Sequence, residues 1–247
     1  MSLDYRRHNK MAQQRCVYCL EYSDDITEDH VLARSWYSNT TPPNMPKWKI
    51  LSCGKCNQKY SKIEGDLRIS LGLCIDPNES KSAGIADKVL SALNPADTND
   101  PKEQRIRLFK RKAILKESED LEHMNIPKES YLPNFGSKEN SDNSQLSKIR
   151  VDADDLNVFA CKLVRGINYI IDQSFIEKGY AIEVFLEDTD PRVALINKFG
   201  KDYSCGPSIT VKYAVANDDT NIRLYSIDIW GRLKIYAQII GGHNTSA

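Results

Sequence analysis

The chain has 247 residues, of which 40% are hydrophobic and 28% charged, a composition typical of a protein that buries a core. No apolar run approaches the roughly 20 residues needed to cross a bilayer, and the N-terminal residues are too polar for a signal peptide. We therefore expect a cytoplasmic protein with no membrane partner. The formal net charge is zero, so the whole chain lacks the basic excess of many nucleic-acid-binding proteins. Residues 1–70 nevertheless carry 11 Lys and Arg against 8 Asp and Glu.

Four of the seven cysteines form two CxxC pairs, Cys16 with Cys19 and Cys53 with Cys56. Each pair places two thiolates on one tight turn, and two such turns complete the tetrahedral sulfur set that zinc prefers. Because sulfur would fill all four positions, the Zn²⁺ would be structural. The remaining cysteines are isolated, and we predict that they are buried as small apolar side chains: Cys74, Cys161 and Cys205.

The helical spacing of Ile63, Leu67 and Leu71 predicts a helix directly after the second pair. Residues 76–150 are interrupted by prolines and predict a connector with short helices. Within this connector, the charged segment Gln104–Glu119 is compatible with either a strand or a helix. Residues 134–147 contain almost no apolar side chains and predict a mobile loop.

From Ala153, apolar residues on one face predict a helix that ends near Gly179. Four β-rich segments follow it: AIEVFL, SITVKYAV, NIRLYSIDIW and LKIYAQII. Between the last two, Gly231-Arg232 predicts a two-residue hairpin turn. The C-terminal part therefore predicts a helix packed on an antiparallel sheet, and the predicted fold class is α+β. The predicted domains are residues 1–75, the connector 76–150, and a C-terminal α+β domain of unknown function, 151–247.

Polar residues with catalytic potential accompany the cysteines. EDHV occupies positions 28–31 between the two pairs, and an asparagine, Asn57, follows the last cysteine. CVYC, EDHV and CGKCN leading into a helix together resemble the four-cysteine HNH, or ββα-metal, endonucleases. The resemblance covers residues 15–70. It implies a zinc-stapled module in which an Asp-His pair ends the first strand and an Asn or His opens the helix.

The resemblance also implies roles for individual residues. Asp29 and Asn57 would hold a catalytic Mg²⁺ or Mn²⁺, ions that prefer oxygen ligands. His30 would be the general base, a role that suits an ordinary histidine pKa of about 6.5. Because neighbours on a strand point to opposite faces, Asp29 and His30 are expected to act separately. Basic side chains near the helix start are predicted to contact nucleic-acid phosphates: Lys55, Lys59, Lys62 and Arg68.

The chain departs from the family pattern at some positions. Ala33 stands where the family commonly has proline, Trp48 falls near the position of a loop-bracing asparagine, and Asn44 is out of register for that role. Two further carboxylates lie near the motif. Glu28 is a spare that could replace or support Asp29. Glu64 lies one to two helical turns beyond Asn57 and could face the site, although we expect it in a surface salt bridge.

The expected function is hydrolysis of phosphodiester bonds in DNA by a metal-dependent endonuclease, with RNA left open. The alternative is a non-catalytic zinc module that binds nucleic acid or a protein. By analogy with bacterial antiphage and restriction systems, the C-terminal domain would recognise a signal or partner and restrain the nuclease. The sequence leaves open whether this domain forms a homodimer or binds a regulatory partner.

Overall fold

The computed structural model describes residues 14–76, 78–127, 130–135, 148–204, 206–216 and 222–241. The strands are β1 (Gln14–Arg15), β2 (Tyr22–Ser23), β3 (Ile26–His30), β4 (Lys49–Cys53), β5 (Tyr180–Phe185), β6 (Lys201–Ser204), β7 (Ile209–Val215), β8 (Arg223–Ile229) and β9 (Leu233–Gly241). The α-helices of the described residues are α1 (Gly54–Gly72), α2 (Ile85–Leu93), α3 (Pro101–Glu122), α4 (Ala153–Asp172) and α5 (Pro191–Phe199). The α+β class is confirmed. Residues 136–147 of the predicted mobile loop, and Cys205, lie outside the described residues.

The N-terminal part is built on an antiparallel hairpin that leads directly into α1. Strands β3 and β4 pair with Ile26 opposite Cys53 and His30 opposite Lys49. Helix α1 begins at the next residue, Gly54, and buries apolar side chains at helical spacing, as the sequence predicts. The short pair β1 and β2 carries the first CxxC turn between its strands.

The segment that the sequence left open between strand and helix is helical. Helix α3 has 22 residues, begins with Pro101, and is capped by the side chain of Asp100, which accepts from the Lys102 N–H. It buries only Ser118 and Leu121, so most of its surface is exposed. The connector therefore contains one long helix as well as the short helix α2.

The C-terminal part consists of α4 and a five-stranded antiparallel sheet in the order β5-β9-β8-β7-β6. Helix α4 ends at Asp172, earlier than the predicted end near Gly179, because Gln173 adopts a left-handed conformation with φ of 52°. The short elements α5 and β6 were not predicted. Asp190 caps α5 by accepting from the Arg192 N–H, but nine residues are too few for a clear periodic pattern.

The turn between β8 and β9 differs from its prediction. Ile229 pairs with Leu233, so the turn has three residues and the predicted two-residue turn at Gly231-Arg232 is wrong. Both Trp230 and Gly231 have positive φ, 60° and 69°. Tertiary contacts stabilise this unusual tryptophan conformation, since the buried Trp230 ring stacks on Trp36 at 4.9 Å and its Nε1 donates to the Trp36 carbonyl at 2.7 Å.

A continuous hydrophobic core joins the hairpin module to the C-terminal sheet. Helix α4 packs against α1 and β4 on one side and against β5 and β9 on the other. Trp36, a few residues after His30, stacks on Phe159 of α4 at 4.8 Å. The residues after His30 are thus fixed by the C-terminal part of the chain. Among the described helices, none combines the length and apolarity needed to cross a membrane.

Candidate metal and catalytic site

The four cysteines of the two CxxC pairs form one cluster. Their Sγ atoms all lie within 4.8 Å of one another, and those of Cys19 and Cys53 are 3.8 Å apart. A tetrahedral zinc ion with Zn–S bonds of about 2.3 Å places its sulfurs about 3.8 Å apart. The cluster therefore fits a four-sulfur zinc site. The first pair lies on a turn closed by left-handed Leu20, and the second spans the start of α1, where one helical turn brings Cys53 and Cys56 to the same side.

The ionisation of the clustered thiols also favours a cation. Burial raises the pKa of Cys56, and the neighbouring Cys16 raises it further. Burial acts in the same direction on Cys16, but backbone hydrogen bonds from Cys19, Cys53 and Tyr18 outweigh it and lower the pKa of Cys16 to about 7. Four thiolates at this spacing repel one another, so full ionisation requires a positive ion such as zinc.

Asp29 lies in a buried cluster of charges formed with Glu64 of α1 and Lys162 of α4. The Lys162 ammonium donates to Glu64 Oε1 at 2.9 Å and to the His30 carbonyl at 3.0 Å, and lies 3.8 Å from Asp29 Oδ2. The Lys162 side chain is 0% exposed. The surface salt bridge expected for Glu64 is therefore wrong, because α4 covers α1 at this point and makes the pair internal.

Aromatic side chains enclose the Lys162 ammonium. It lies 5.5 Å from the ring centre of Tyr18 and 5.8 Å from that of Tyr60. Burial raises the pKa of Glu64, an effect that Lys162 opposes, and burial also raises the pKa of Tyr18 well above its usual value. Asp29 Oδ2 is buried and has no hydrogen-bond partner in the described part of the chain. Its nearest charged partner is the Lys162 ammonium, which lies beyond hydrogen-bond distance at 3.8 Å.

His30 is the last residue of β3, and its contacts differ from those of Asp29. Its Nε2 accepts a hydrogen bond from Arg34 Nε at 2.8 Å. Since arginine only donates, the proton of a neutral imidazole lies on Nδ1. Burial lowers the pKa of His30, and the cations Arg34 and Lys49 lower it further, so these surroundings favour the neutral ring. The Trp48 carbonyl and Asp29 oppose this change, although Nδ1 makes no hydrogen bond of regular geometry within the described residues.

The loop after His30 is braced by the backbone of Trp48. The Val31 N–H donates to the Trp48 carbonyl at 3.0 Å. In this chain a main-chain oxygen therefore fixes the end of the hairpin, where the resembled family often uses an asparagine side chain.

Asn57 lies near the start of α1, away from the Asp29 cluster. It borders a shallow cleft together with Thr27 and Lys62, and its side chain makes no hydrogen bond to the described residues. Thr27 and Asp29 share one face of β3. Asp29 faces Glu64, which is about 10 Å further along α1 than Asn57. The structure thus brings Asp29 to Glu64 and Lys162, and Asn57 to Thr27.

The remaining predicted site residues lie outside this cluster. Glu28 is exposed and pairs with Lys49 at 2.7 Å on the other face of the hairpin. The lysines of the predicted phosphate-contacting set are exposed on α1: Lys55, Lys59 and Lys62. Arg68 is half-buried, burial lowers its pKa, and its Nε has no hydrogen-bond partner within the described residues. Cys74 and Cys161 are half-buried, and burial raises both thiol pKa values.

Lys162 is the site residue that the sequence did not reveal. It lies between Phe159 and Leu163, beside the apolar face of α4, and one turn before Gly166. The sequence signal that could have revealed Lys162 is a lysine at the border of an apolar helix face, with a glycine one turn later. The glycine lets α4 approach the hairpin closely, because a Cβ at Gly166 would lie 2.8 Å from Val31 Cγ1.

Comparisons of this chain with protein-family models, with curated proteins and with solved structures found no match.

Proposed function

We propose that the protein is a metal-dependent endonuclease of the HNH, ββα-metal type, which hydrolyses phosphodiester bonds in DNA. One observation carries the proposal. His30 ends a strand directly after Asp29, a half-buried aspartate whose Oδ2 makes no hydrogen bond among the described residues, on a hairpin joined to α1 by the four-cysteine cluster. A general base and an anionic metal ligand on adjacent residues suit hydrolysis of a phosphodiester.

The oxygen donors of the site suit a catalytic Mg²⁺ or Mn²⁺. Asp29 and Asn57 would hold the ion, which would supply positive charge for the scissile phosphate when bound. Because Asp29 contacts Lys162 and Asn57 borders the cleft at Thr27, the two side chains would have to turn toward each other to share it. Glu64 is closer to Asp29 in the present arrangement, but Lys162 already neutralises it. Lys162 also fixes the His30 carbonyl and so helps to orient the base.

His30 would take the proton of the attacking water at Nε2, the nitrogen without a proton. Arg34 holds this atom through its hydrogen bond. An anionic phosphate attracts a guanidinium more strongly than a neutral imidazole does. Binding of the substrate phosphate by Arg34 would therefore release the Nε2 lone pair for catalysis.

The direct test is nicking of plasmid DNA by the full chain with Mn²⁺. We expect His30→Ala to reduce the rate about 10²- to 10⁴-fold, the usual contribution of a general base. His123→Ala is the matched control, because His123 is exposed at the end of α3, and it should cut as the unchanged protein does. Zinc content and circular dichroism should be equal in all three proteins. Equal nicking by His30→Ala, or no cleavage of DNA or RNA with several metals, would contradict the proposal.

A second candidate is a non-catalytic zinc module that binds nucleic acid or a protein. The partners already present favour it, since Lys162 contacts Asp29 and Glu64 while Arg34 covers His30. This candidate predicts that Asn57→Ala retains function whereas Cys53→Ser loses the fold. Loss of cleavage by a normally folded Asn57→Ala protein would exclude it.

A role in bacterial antiphage or restriction defence is proposed by analogy only. In that role the C-terminal part would recognise a signal or a regulatory partner. Phage plating on cells that express the full chain or His30→Ala tests it. Equal numbers of phage plaques on the two kinds of cell would contradict this proposal.

A further inference from the structure

Helix α3 presents a row of basic residues to solvent. The row consists of exposed side chains at alternating spacings of three and four residues, which places them on one helix face: Lys102, Arg105, Phe109, Lys112 and Lys116. Phe109, near the middle of the row, is 75% exposed. No acidic residue belongs to this row.

Six of the seven basic residues of α3 fall into two groups according to the direction in which they face, and the seventh, Arg111, borders a cleft beside the helix. Those directed toward the fold are paired: Lys110 binds Asp66 of α1 at 2.9 Å, and Arg107 binds Glu103 and donates to the Ser91 carbonyl. The four cations of the exposed row have no ion pair or hydrogen-bond partner among the described residues. The fold therefore neutralises the inner face of α3 and leaves its outer face positive.

The concentration of positive charge is high for this chain. Residues 101–116 contain 7 Lys and Arg against 1 Asp or Glu, although the formal net charge of the whole chain is zero. Acidic residues return from Glu117 onward, and Glu117 itself lies near Arg150. The positive face is thus confined to the first four turns of α3.

We propose that this row binds the phosphate backbone of duplex DNA. It extends about 21 Å along the helix axis, and duplex DNA carries one negative charge per ~1.7 Å, so all four cations can reach phosphates. The contact between Lys110 and Asp66 places α3 beside α1, whose exposed Lys55, Lys59 and Lys62 lie on the same helix as Asp66. The choice of DNA as the partner rests on the proposed function.

The composition of the row favours phosphates over an apolar partner. A helix that lies in a membrane surface needs a continuous apolar face opposite its charges. Within the row, four cations surround a single phenylalanine. The other exposed apolar side chains of α3 do not form one continuous face, since Ile106 lies on one side of the row and Leu108 and Leu115 lie on the other. Binding should therefore be mainly electrostatic, strongly dependent on salt and weakly dependent on sequence.

The experiment measures binding of a labelled duplex by fluorescence anisotropy at several salt concentrations, in the full chain carrying His30→Ala to prevent cleavage. We expect Lys112→Gln with Lys116→Gln to weaken binding about tenfold and to lower the salt slope by about 2. The matched control is Lys198→Gln with Lys201→Gln, two exposed lysines near the end of α5 and at the start of β6, outside both α1 and α3. It should change neither quantity. Phe109→Ser should change affinity less than threefold.

The two proposals fail in different ways. If the chain without His30→Ala nicks plasmid and the α3 double variant binds with unchanged affinity and slope, the α3 inference is wrong and the nuclease stands. If no variant cuts or binds, both are wrong. Binding to phosphatidylserine vesicles but not to duplex DNA, abolished by Phe109→Ser, would show that the row is a membrane-surface contact instead and would overturn the inference.

Discussion

The cysteine cluster and the Lys162 cluster lie in the same N-terminal module, but they are assembled differently. The four sulfurs come from residues 16–56, and each pair lies on a local turn. The Asp29 and Glu64 carboxylates of the second cluster instead meet an ammonium from α4, beyond the whole connector. Local turns bring the first cluster together, whereas tertiary packing brings the second together.

This difference implies that the two clusters depend on different parts of the chain. The cysteine cluster needs only the β1–β2 turn, the β3–β4 hairpin and the start of α1. The Asp29 cluster also needs α4 at its present distance from the hairpin, because the buried Glu64 carboxylate beside the half-buried Asp29 would be strongly unfavourable without Lys162. The candidate catalytic module therefore requires the C-terminal part of the chain. The substitutions below should distinguish what the cysteine cluster needs from what the Asp29 cluster needs.

The largest effect is expected from Cys53→Ser. Loss of one sulfur ligand should lower the zinc content from about one ion per chain toward none and unfold the N-terminal module, since metal binding supplies the folding energy of such sites. Metal analysis and circular dichroism measure both effects. Cys74→Ser is the control, because Cys74 is not in the cluster. Full zinc retention by a folded Cys53→Ser protein would contradict a four-sulfur site.

Lys162→Met should lower the free energy of unfolding by about 3–5 kcal/mol, because it leaves a buried carboxylate uncompensated. The zinc content should not change. Adding Glu64→Gln should restore a large part of the loss, since the main buried partner then carries no charge. Urea unfolding of the two variants measures this coupling. Additive losses in the double variant would show that Lys162 and Glu64 do not act as a pair.

The same variant should have a characteristic pH dependence. Burial raises the pKa of Glu64, and Lys162 opposes that change, so Lys162→Met should raise the pKa further. A raised pKa in the folded state means that protonation favours folding, and this stability is lost as pH rises through the folded pKa. The stability difference between Lys162→Met and the unchanged chain should therefore shrink as pH falls from 7 toward 5. A difference that is constant over this range would exclude Glu64 as the cause.

Two glycine substitutions give the smallest expected effects, with opposite signs. Gly166→Ala should lower the free energy of unfolding by about 1–3 kcal/mol, because its Cβ would press against Val31. Gly65→Ala should raise it by about 0.5–1 kcal/mol, since Gly65 lies in α1 with no atom near the added methyl. Thermal unfolding measures both. Stabilisation by Gly166→Ala would mean that α4 can move away from the hairpin at little cost.

The sequence predicted features that depend on short spacings. The cysteine cluster, α1, α4 and the main strands of the C-terminal sheet all follow from local periodicity. It missed Lys162, because only packing over a long chain distance buries this residue against Glu64. The predicted β8–β9 turn also starts one residue too late. Stacking of Trp230 on Trp36 overrides the usual preference for glycine at the first turn position.

The stacking of Trp36 on Trp230 provides an optical reporter of the joint between the two parts of the molecule. The chain has three tryptophans, and two of them face each other at 4.9 Å across this joint. Two indoles at this distance couple electronically, so their near-ultraviolet dichroism and fluorescence depend on their mutual orientation. Any rotation of the C-terminal sheet relative to the segment after His30 would change that signal without an added label. Any binding event that rotates the two parts relative to each other can thus be followed from the intrinsic spectrum of the unmodified protein.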